Sequence, residues 1–417
     1  MEEIEVPKYF MCPISLQIMR DPVTAVTGIT YDRESIEKWF STAAASVDMI
    51  TCPVTKQPLP RESDLTPNHT LRRLIQAWCI ANACNGIDRI PTPKPLLDKR
   101  QVLKLVRDLG VDSDDLKKII TLKRMEALAE ENERNRRLMV EGGGVIKAMI
   151  LFVIRCFKEG KIIGVEEALR ILRLVWVPNE EVKNSVNESS DLLESLAWVL
   201  GRRGTDDCAI AMKSEAISVL NLAIQVANSS RLERLRLELF MNITNNVLRE
   251  RSVSQQTVKS SLQVLIEACP WGRNRMKIIE SGAVFELIEL ELTKPENHTT
   301  ELIFNLLAHL CSCADGRAQL LQHACGIAMV SKKILRVSSA TDDRAIHILS
   351  LIAKFSAKSE VILEMLGVGA VTKLCMVMQA DCAPYLKEKA RGVLRLHSKV
   401  WNDSPCIAVY LLSRQPH

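Results

Sequence analysis

Aromatic residues are scarce in this sequence. Phe, Trp and Tyr make up only 4% of its 417 residues, whereas aliphatic residues abound and hydrophobic residues as a whole reach 47%. Strands favour aromatic and β-branched side chains, so this shortage argues against a β-sandwich or a β-barrel. The composition therefore predicts a mostly helical protein, and the length predicts more than one domain.

A long uninterrupted apolar run is also missing. The longest, from Val145 to Ile154, is broken by Lys147 and is shorter than the roughly 20 residues that cross a bilayer. The N-terminal "MEEIEVPKYF" is acidic and lacks the basic-then-apolar order of a signal peptide. We therefore expect no membrane span, and a buried helix over the apolar run.

The sequence shows no concentrated basic stripe of the kind that nucleic-acid binders need. The 55 basic and 50 acidic residues are mixed along the chain, which argues against nucleic-acid binding. The 13 cysteines are odd in number and scattered without a disulfide framework, as is typical of reduced thiols. We expect a cytoplasmic protein with possible access to the nucleus.

Two similar stretches near the N-terminus lack half of a metal site. "FMCPISLQIM" (10–19) and "ITCPVTKQPL" (50–59) each place a hydroxyl three residues after a cysteine, where a zinc knuckle would have a second thiol. Paired RING-type zinc sites need eight ligands, and residues 10–60 offer two cysteines and no histidine. The sequence therefore predicts no metal and no cofactor. We expect polar contacts to hold these loops instead, from Cys12, Ser15, Asp21, Asp32, Arg33, Glu34, Cys52, Thr55 and Asn68.

Turn and helix signals surround these stretches. "DPVTAVTGITYD" predicts two short strands joined by a Thr27-Gly28 turn, and then a helix from Arg33 to about Thr42 that is capped by Asp32. Leucines and isoleucines at helical spacing after Pro67 predict a second helix that ends by about Asn82. Three alternate prolines in "NGIDRIPTPKP" then favour an extended connector. We predict a first domain over 5–82, a linker over 83–100 and a second domain over 101–417.

The second domain repeats. An A-x-x-[IVL]-L core recurs every 42 to 48 residues, and a period of this size predicts a solenoid of stacked helical repeats. A Gly-Ala-Val element recurs in phase with it and predicts a left-handed glycine before a new helix. The pattern resembles armadillo repeats, which implies a right-handed α-solenoid of six or seven units, the units near 190 and 235 being degenerate. The six cores begin at Ala168, Ala216, Ser261, Ile303, Ala345 and Ala390.

With these features together, the stretch from "PKYFMCPISLQIM" to "LTPNHTLRRLIQAWC" closely resembles the U-box of plant ubiquitin-protein ligases, and the whole chain resembles the plant U-box/armadillo class. The resemblance implies a zinc-free RING-like α+β domain that recruits a ubiquitin-charged conjugating enzyme (E2). It also implies that ubiquitin passes directly to a substrate on the armadillo repeats, without a covalent intermediate on the ligase. Self-modification and a role in plant stress and defence signalling are further family expectations.

The resemblance implies which residues meet the E2: Ile14, Leu16, Trp39 and Pro53. Ile36 and Phe40 lie four apart and are expected to pack inward, which leaves Trp39 for the interface, although it could instead share that core. For Leu16, contact with the E2 and a role outside the interface both stay open. Lys56 stands where the family often has a basic residue that bridges E2 and ubiquitin; it could also be a solvated surface lysine, and a lysine clamp would be weaker than an arginine one.

Two alternatives stay open at the level of sequence. The chain could be a non-catalytic armadillo adaptor whose U-box is only a structural cap, or a metal-dependent RING-like ligase, which the ligand count disfavours. The four histidines His309, His323, His347 and His397 fall at unrelated repeat positions and predict no catalytic pair. The asparagine ladder of importin-like armadillos is absent, because its positions read Arg173, Asn221, Ile266, Ala308, Ser350 and Arg395.

Overall fold

A computed structural model divides the chain into two compact units, Met1–Leu96 and Leu97–His417. Residues 43–48 after the first helix, 84–96 in the proline-marked linker and most of 402–417 fall outside the described residues. The described residues are 6–42, 49–60, 65–83, 97–110, 114–189, 191–202, 204, 206–250, 252–401, 405 and 407.

The first unit is a small α+β domain with two sheets. β1 pairs antiparallel with both β2 and β5, while β3 and β4 pair with each other. Val23 at the centre of β1 lies opposite Tyr31 on one side and Pro67 on the other. A short 3-10 turn over Lys8–Phe10 precedes the strands. The elements are β1 (Pro22–Thr24), β2 (Thr30–Asp32), α1 (Arg33–Thr42), β3 (Met49–Thr51), β4 (Pro58–Pro60), β5 (Thr66–Pro67) and α2 (His69–Ala81).

The predicted turn and helix pattern is found in this unit. Gly28 has a φ of 79°, which is the left-handed conformation that the β1–β2 turn requires. Ile36 is fully buried and Phe40 packs against the same core, as their spacing predicted, while Trp39 remains 36% exposed. β5 is a difference from the prediction, because the segment before α2 was expected only to end the preceding chain.

The second unit consists of helices throughout its described residues. A single π-helical turn over Thr244–Leu248 continues the twelfth helix. The helices are α3 (Lys99–Asp108), α4 (Asp115–Glu131), α5 (Glu133–Gly143), α6 (Val145–Glu159), α7 (Val165–Val175), α8 (Glu180–Glu188), α9 (Leu192–Leu200), α10 (Asp207–Val226), α11 (Ser229–Leu232), α12 (Leu237–Ile243), α13 (Gln255–Ala268), α14 (Gly272–Glu280), α15 (Ala283–Leu292), α16 (Asn297–Cys311), α17 (Ala314–Gln322), α18 (Gly326–Lys333), α19 (Ser339–Phe355), α20 (Ser359–Gly367), α21 (Ala370–Gln379), α22 (Pro384–Leu396) and α23 (Ser398–Trp401).

These helices stack in a repeating order. In one row, which we call the third-helix row, each member packs against the next: α4, α7, α10, α13, α16, α19 and α22. All six A-x-x-[IVL]-L cores lie in this row, from α7 onwards. Within the described residues, six successive groups of three helices run from α5–α7 to α20–α22. The stacked helical repeat predicted from the sequence is therefore present.

The second sequence marker also has a structural reason. Gly144, Gly282 and Gly369 have φ angles of 58°, 82° and 81° and stand immediately before α6, α15 and α21. An Asn-Arg pair precedes the glycine by several residues in two of these repeats. Its side chains donate hydrogen bonds to carbonyl groups at the C-terminus of the preceding helix of the third-helix row. Asn135 donates to the Leu128 carbonyl at 3.0 Å, and the repeat unit thereby caps its predecessor.

Within the described residues, one helix, α10, is long and apolar enough to cross a membrane by length and composition, and the bent pair α20 and α21 would pass together. Half of the apolar stretch of α10 is buried inside the unit, where the helix packs between α7 and α13. The core helix of a helical stack passes the same test, so α10 is explained by its place in the third-helix row.

Candidate functional site: two matched loops and a groove

Loop 1 (residues 12–17) and loop 2 (residues 52–57) have the same backbone geometry. In loop 1, Cys12 N–H donates to the Gln17 carbonyl at 2.8 Å, and Leu16 N–H donates back to the Cys12 carbonyl at 2.9 Å. Loop 2 repeats both bonds at the corresponding positions, at 2.8 and 3.0 Å. The two loops are therefore knuckles of one shape, closed by main-chain hydrogen bonds.

Each loop also holds a left-handed residue at the same place. Leu16 has a φ of 53° and Lys56 a φ of 59°, a conformation that non-glycine residues rarely adopt. Leu16 is in addition 73% exposed, so its side chain gains little from burial. A leucine that is unfavourable on both counts is typical of a position kept for contact with a partner.

The thiol of Cys52 is the hydrogen-bonding centre of loop 2. Its Sγ lies 3.0 Å from the Tyr31 hydroxyl and 3.5 Å from Thr27 Oγ1, and it accepts from Thr55 N–H at 3.4 Å. Burial alone would raise the pKa of Cys52, but the hydrogen bonds from Thr55, Tyr31 and Thr27 outweigh it and lower the pKa to about 6. These hydrogen bonds favour the thiolate form of Cys52 near neutral pH, while burial and the hydrogen bond to Cys52 raise the pKa of Tyr31.

Cys12 has the corresponding role in loop 1. Its Sγ accepts from Asp32 N–H at 3.3 Å, and the pKa of Cys12 is lowered although burial opposes the change. The Ser15 main chain and hydroxyl supply further hydrogen bonds. Ser15 and Thr55, the hydroxyls that replace a second thiol, thus each bond to the cysteine of their own loop. Among the described residues, no three His, Cys, Asp or Glu side chains are grouped as metal ligands.

Charged groups join the turn before β1 to the start of α1. Arg33 Nε donates to Asp21 Oδ2 at 2.6 Å, and both side chains are largely buried. Asp32 Oδ1 accepts from the main-chain N–H groups of Arg20 and Asp21 at 2.8 and 2.9 Å. This oxygen therefore organises the turn before β1, whereas the sequence assigned Asp32 to capping α1.

The last two predicted polar residues have different places. Asn68 caps α2, since its side-chain oxygen accepts from Leu71 N–H at 3.0 Å, and its own N–H donates to the Pro22 carbonyl at 2.8 Å. Glu34 is exposed in the first turn of α1. Glu34 lines a groove, as do Ser15 and Asp32 of the same predicted set.

A groove of about 570 Å³ lies between loop 1 and α1. Ile14, Ile18 and Trp39 give it an apolar lining, and the polar lining residues are Ser15, Gln17, Arg20, Asp32, Glu34, Ser35 and Lys38. Trp39 Nε1 also donates to the Thr51 carbonyl at 3.1 Å, which ties α1 to the start of loop 2. The structure thus brings Ile14 and Trp39 together.

The other two predicted contact residues are not part of the groove lining. Leu16 projects from the tip of loop 1, and Pro53 is half-buried in loop 2. Lys56 is exposed in loop 2. Sequence reasoning missed Val54, which is 48% exposed and occupies in loop 2 the position that Ile14 has in loop 1. Aligning the two Cys-Pro stretches residue by residue would have found it.

Protein-family models match both units. The model described as U-box domain matches residues 6–83, and the model described as plant U-box protein ARM repeat region matches residues 101–417. The chain belongs to the plant U-box/armadillo-repeat family. The fold class predicted from the sequence, a small U-box domain followed by an armadillo-type α-solenoid, is confirmed.

Members of this family resemble the chain over its whole length. E3 ubiquitin-protein ligase PUB24 of Arabidopsis thaliana is 42% identical, with 99% of this chain and 96% of the relative covered. E3 ubiquitin-protein ligase PUB23 of the same plant is 40% identical, with 100% and 98% covered. Both relatives therefore align with the U-box and with the armadillo region.

Solved structures share the fold at low sequence identity. A chain from a study of the interaction between cadherin and beta-catenin has a TM-score of 0.55 at 12% identity and covers 79% of this chain and 59% of its own length. An engineered protein solved by a structural genomics consortium has a TM-score of 0.51 at 17% identity, over 72% and 68%. At such identities the likeness concerns the fold alone.

Proposed function

We propose that this U-box/armadillo protein is an E3 ubiquitin-protein ligase. In this function the U-box binds a ubiquitin-charged E2, and the armadillo repeats hold the protein substrate. The observation that carries the proposal is the apolar groove of Ile14, Ile18 and Trp39 beside an exposed, left-handed Leu16. The names of the relatives and the U-box family model support ligase activity.

The E2 surface in this proposal consists of Ile14, Leu16, Trp39 and Pro53, with Val54 added from the structure. A large exposed apolar cluster of this kind is typical of protein-protein contacts. Lys56, exposed and left-handed at the tip of loop 2, is proposed to contact E2 and ubiquitin together. Its single ammonium group can donate hydrogen bonds there but lacks the planar fork of arginine.

The proposed reaction needs no nucleophile on the ligase. The U-box cysteines that the structure describes, Cys12, Cys52 and Cys79, are all buried, so a thioester on them would be inaccessible. Ubiquitin would then pass directly from E2 to a substrate lysine. Holding the lysine near the thioester can supply much of the rate enhancement through effective concentration. Lysines of the ligase itself are proposed to be acceptors as well.

Several finer points belong to the same proposal. The functional units are 5–82 and 101–417, joined by 83–100, and the protein works in the cytoplasm, with access to the nucleus. No cofactor, nucleic acid or membrane takes part in the reaction as proposed. A role in plant stress and defence signalling is the family expectation for its pathway.

The test is reconstituted ubiquitination with purified full-length protein, an activating enzyme and a panel of E2 enzymes. We expect ubiquitin ladders, and no thiol-sensitive adduct between ubiquitin and the ligase on non-reducing gels. Such an adduct would refute direct transfer. Absence of ladders with every E2, from protein that is folded by circular dichroism, would favour the non-catalytic adaptor.

The matched control for the groove is a second apolar residue on the same domain. Val26 is 65% exposed in the β1–β2 turn, away from the groove lining. Ile14→Ala should reduce ladder formation at least tenfold, whereas Val26→Ala should leave it within twofold of wild type. Equal effects of the two substitutions would contradict the assignment of the E2 surface.

A further inference from the structure

Positive charge is concentrated from α18 to α23, at the C-terminal end of the armadillo region. Residues 326–401 contain twelve Lys and Arg against six Asp and Glu, whereas the entire chain has a net charge of only +5. The remainder of the chain is therefore slightly acidic. The net charge of the whole chain therefore hides an uneven distribution of charge between its C-terminal end and the rest.

Much of the excess lies on α19 and α22, at the end of the third-helix row, and on the short helix α23 that follows. These helices carry seven basic residues against three acidic ones. Asp342 is buried and accepts from Leu335 N–H at 2.6 Å, so it contributes little to the surface. The basic residues, all exposed or half-buried, are Arg344, Lys354, Lys387, Lys389, Arg391, Arg395 and Lys399. We call this set the basic face.

Earlier in the same row, the arginines are neutralised by carboxylates of neighbouring helices. Arg170 on α7 pairs with Glu126 on α4 at 2.7 Å, and Arg173 pairs with Glu215 on α10 at 2.7 Å. On the basic face, Asp343 pairs with Lys389 at 2.5 Å and with Arg344 at 3.7 Å, and Glu388 pairs with Arg391. Fewer carboxylates than cations leave a positive surface at this end.

The titration of two nearby histidines reports the same field. Burial, and then the cations around them, lower the pKa of His309 on α16 and of His347 on α19. The cations that face His309 include Arg344, and those that face His347 are Lys389 and Arg344, opposed by Asp343. Arg344 therefore lies near His309 on α16, and both Lys389 and Arg344 lie near His347 on α19.

We propose that the basic face binds an acidic segment of the substrate protein. This proposal rests on the ligase function proposed above and names the chemistry of its substrate. Phe355 and Leu396 are more than half exposed on the same helices, so apolar residues among the acidic ones would add to binding. Two surface carboxylates, Asp343 and Glu388, lie among the seven cations, so the basic face is not the continuous basic stripe that is typical of nucleic-acid binders.

The experiment measures binding of a fluorescein-labelled 16-residue peptide of Glu, Asp, Leu and Gly to the full-length protein by fluorescence anisotropy. We expect binding in 50 mM NaCl that weakens severalfold at 200 mM, because salt screens exposed charges. Arg344→Glu combined with Arg395→Glu should weaken binding at least tenfold. The same peptide with Lys in place of Glu and Asp should not bind.

The control pair reverses two exposed cations at the other end of the row. Lys123→Glu combined with Arg124→Glu, on α4, should leave the Kd within twofold of wild type. No binding of the acidic peptide, or equal loss in both double variants, would overturn the proposal. Binding of a single-stranded oligonucleotide and of anionic vesicles is measured as well. If Arg344→Glu combined with Arg395→Glu weakens the binding of either one but leaves peptide binding unchanged, the basic face binds another polyanion and the proposal is overturned. Discharge of ubiquitin from E2 is measured in parallel. Discharge without peptide binding refutes only the inference about the basic face, whereas a lack of discharge refutes the ligase function.

Discussion

Tyr31→Phe removes one hydroxyl from the centre of the U-box. That hydroxyl lies 3.0 Å from Cys52 Sγ, and the tyrosine ring is fully buried, so the phenylalanine ring can keep its packing. A hydrogen bond to a charged group contributes about 1.5–3 kcal/mol to stability. We therefore expect the variant to lower the free energy of opening of the first unit by about 2 kcal/mol.

The assay is hydrogen-deuterium exchange of peptides from β1, β2 and α1, because exchange reports opening of this unit separately from the armadillo helices. Tyr9→Phe is the control, since the Tyr9 side chain is 64% exposed. A change below about 0.5 kcal/mol in Tyr31→Phe would refute the role of the thiolate as a hydrogen-bonding centre.

The same variant predicts a pH effect with a defined sign. Folding lowers the pKa of Cys52 from 9.0 to about 6, so the unfolded chain binds the proton more tightly. The stabilisation is complete above pH 9 and is lost as the pH falls through 6. Between pH 7.5 and 6 the wild-type unit should lose about 1–2 kcal/mol, and Tyr31→Phe should lose less. A steeper loss in the variant would contradict the assignment.

Three further substitutions test other parts of the account. Leu16→Gly relieves a left-handed leucine and should raise unit stability by up to about 1 kcal/mol in exchange experiments, while E2-ubiquitin discharge falls at least tenfold; a stability loss would contradict the strain argument. Asp21→Asn breaks the pair with Arg33 and should destabilise the U-box by about 1–2 kcal/mol, measured in the same way. Glu291→Leu leaves Lys333 without its buried partner and should cost about 3–5 kcal/mol in denaturant unfolding, whereas adding Lys333→Met should recover most of it.

The helices and the repeat could be predicted from the sequence because local periodicity determines them. α1 begins and ends at the predicted residues, and the repeat cores coincide with the third-helix row. The unit near 235 looked degenerate for a physical reason. There α11 has only four residues, and α12 has seven before it continues as a π-helical turn, so the usual spacing is lost.

The contacts that hold the two loops could be predicted only in outline. Ser15 and Thr55 were found because they are three residues from their cysteines. Tyr31 and Thr27 lie 21 and 25 residues from Cys52 and meet it only because the β1–β2 hairpin folds onto loop 2. Such pairings depend on tertiary structure, and no local pattern announces them. Val54, by contrast, was available from the internal similarity of the loops.

The central claim is that a hydrogen-bonded U-box presents a surface that activates a ubiquitin-charged E2. Its most direct test is single-turnover discharge of E2-ubiquitin onto free lysine in the presence of a strong chelator. We expect the full-length protein to accelerate discharge, Ile14→Ala and Trp39→Ala to lose that acceleration, and Val26→Ala to keep it. Discharge that stops in chelator, or that is the same in all four proteins, would contradict the account.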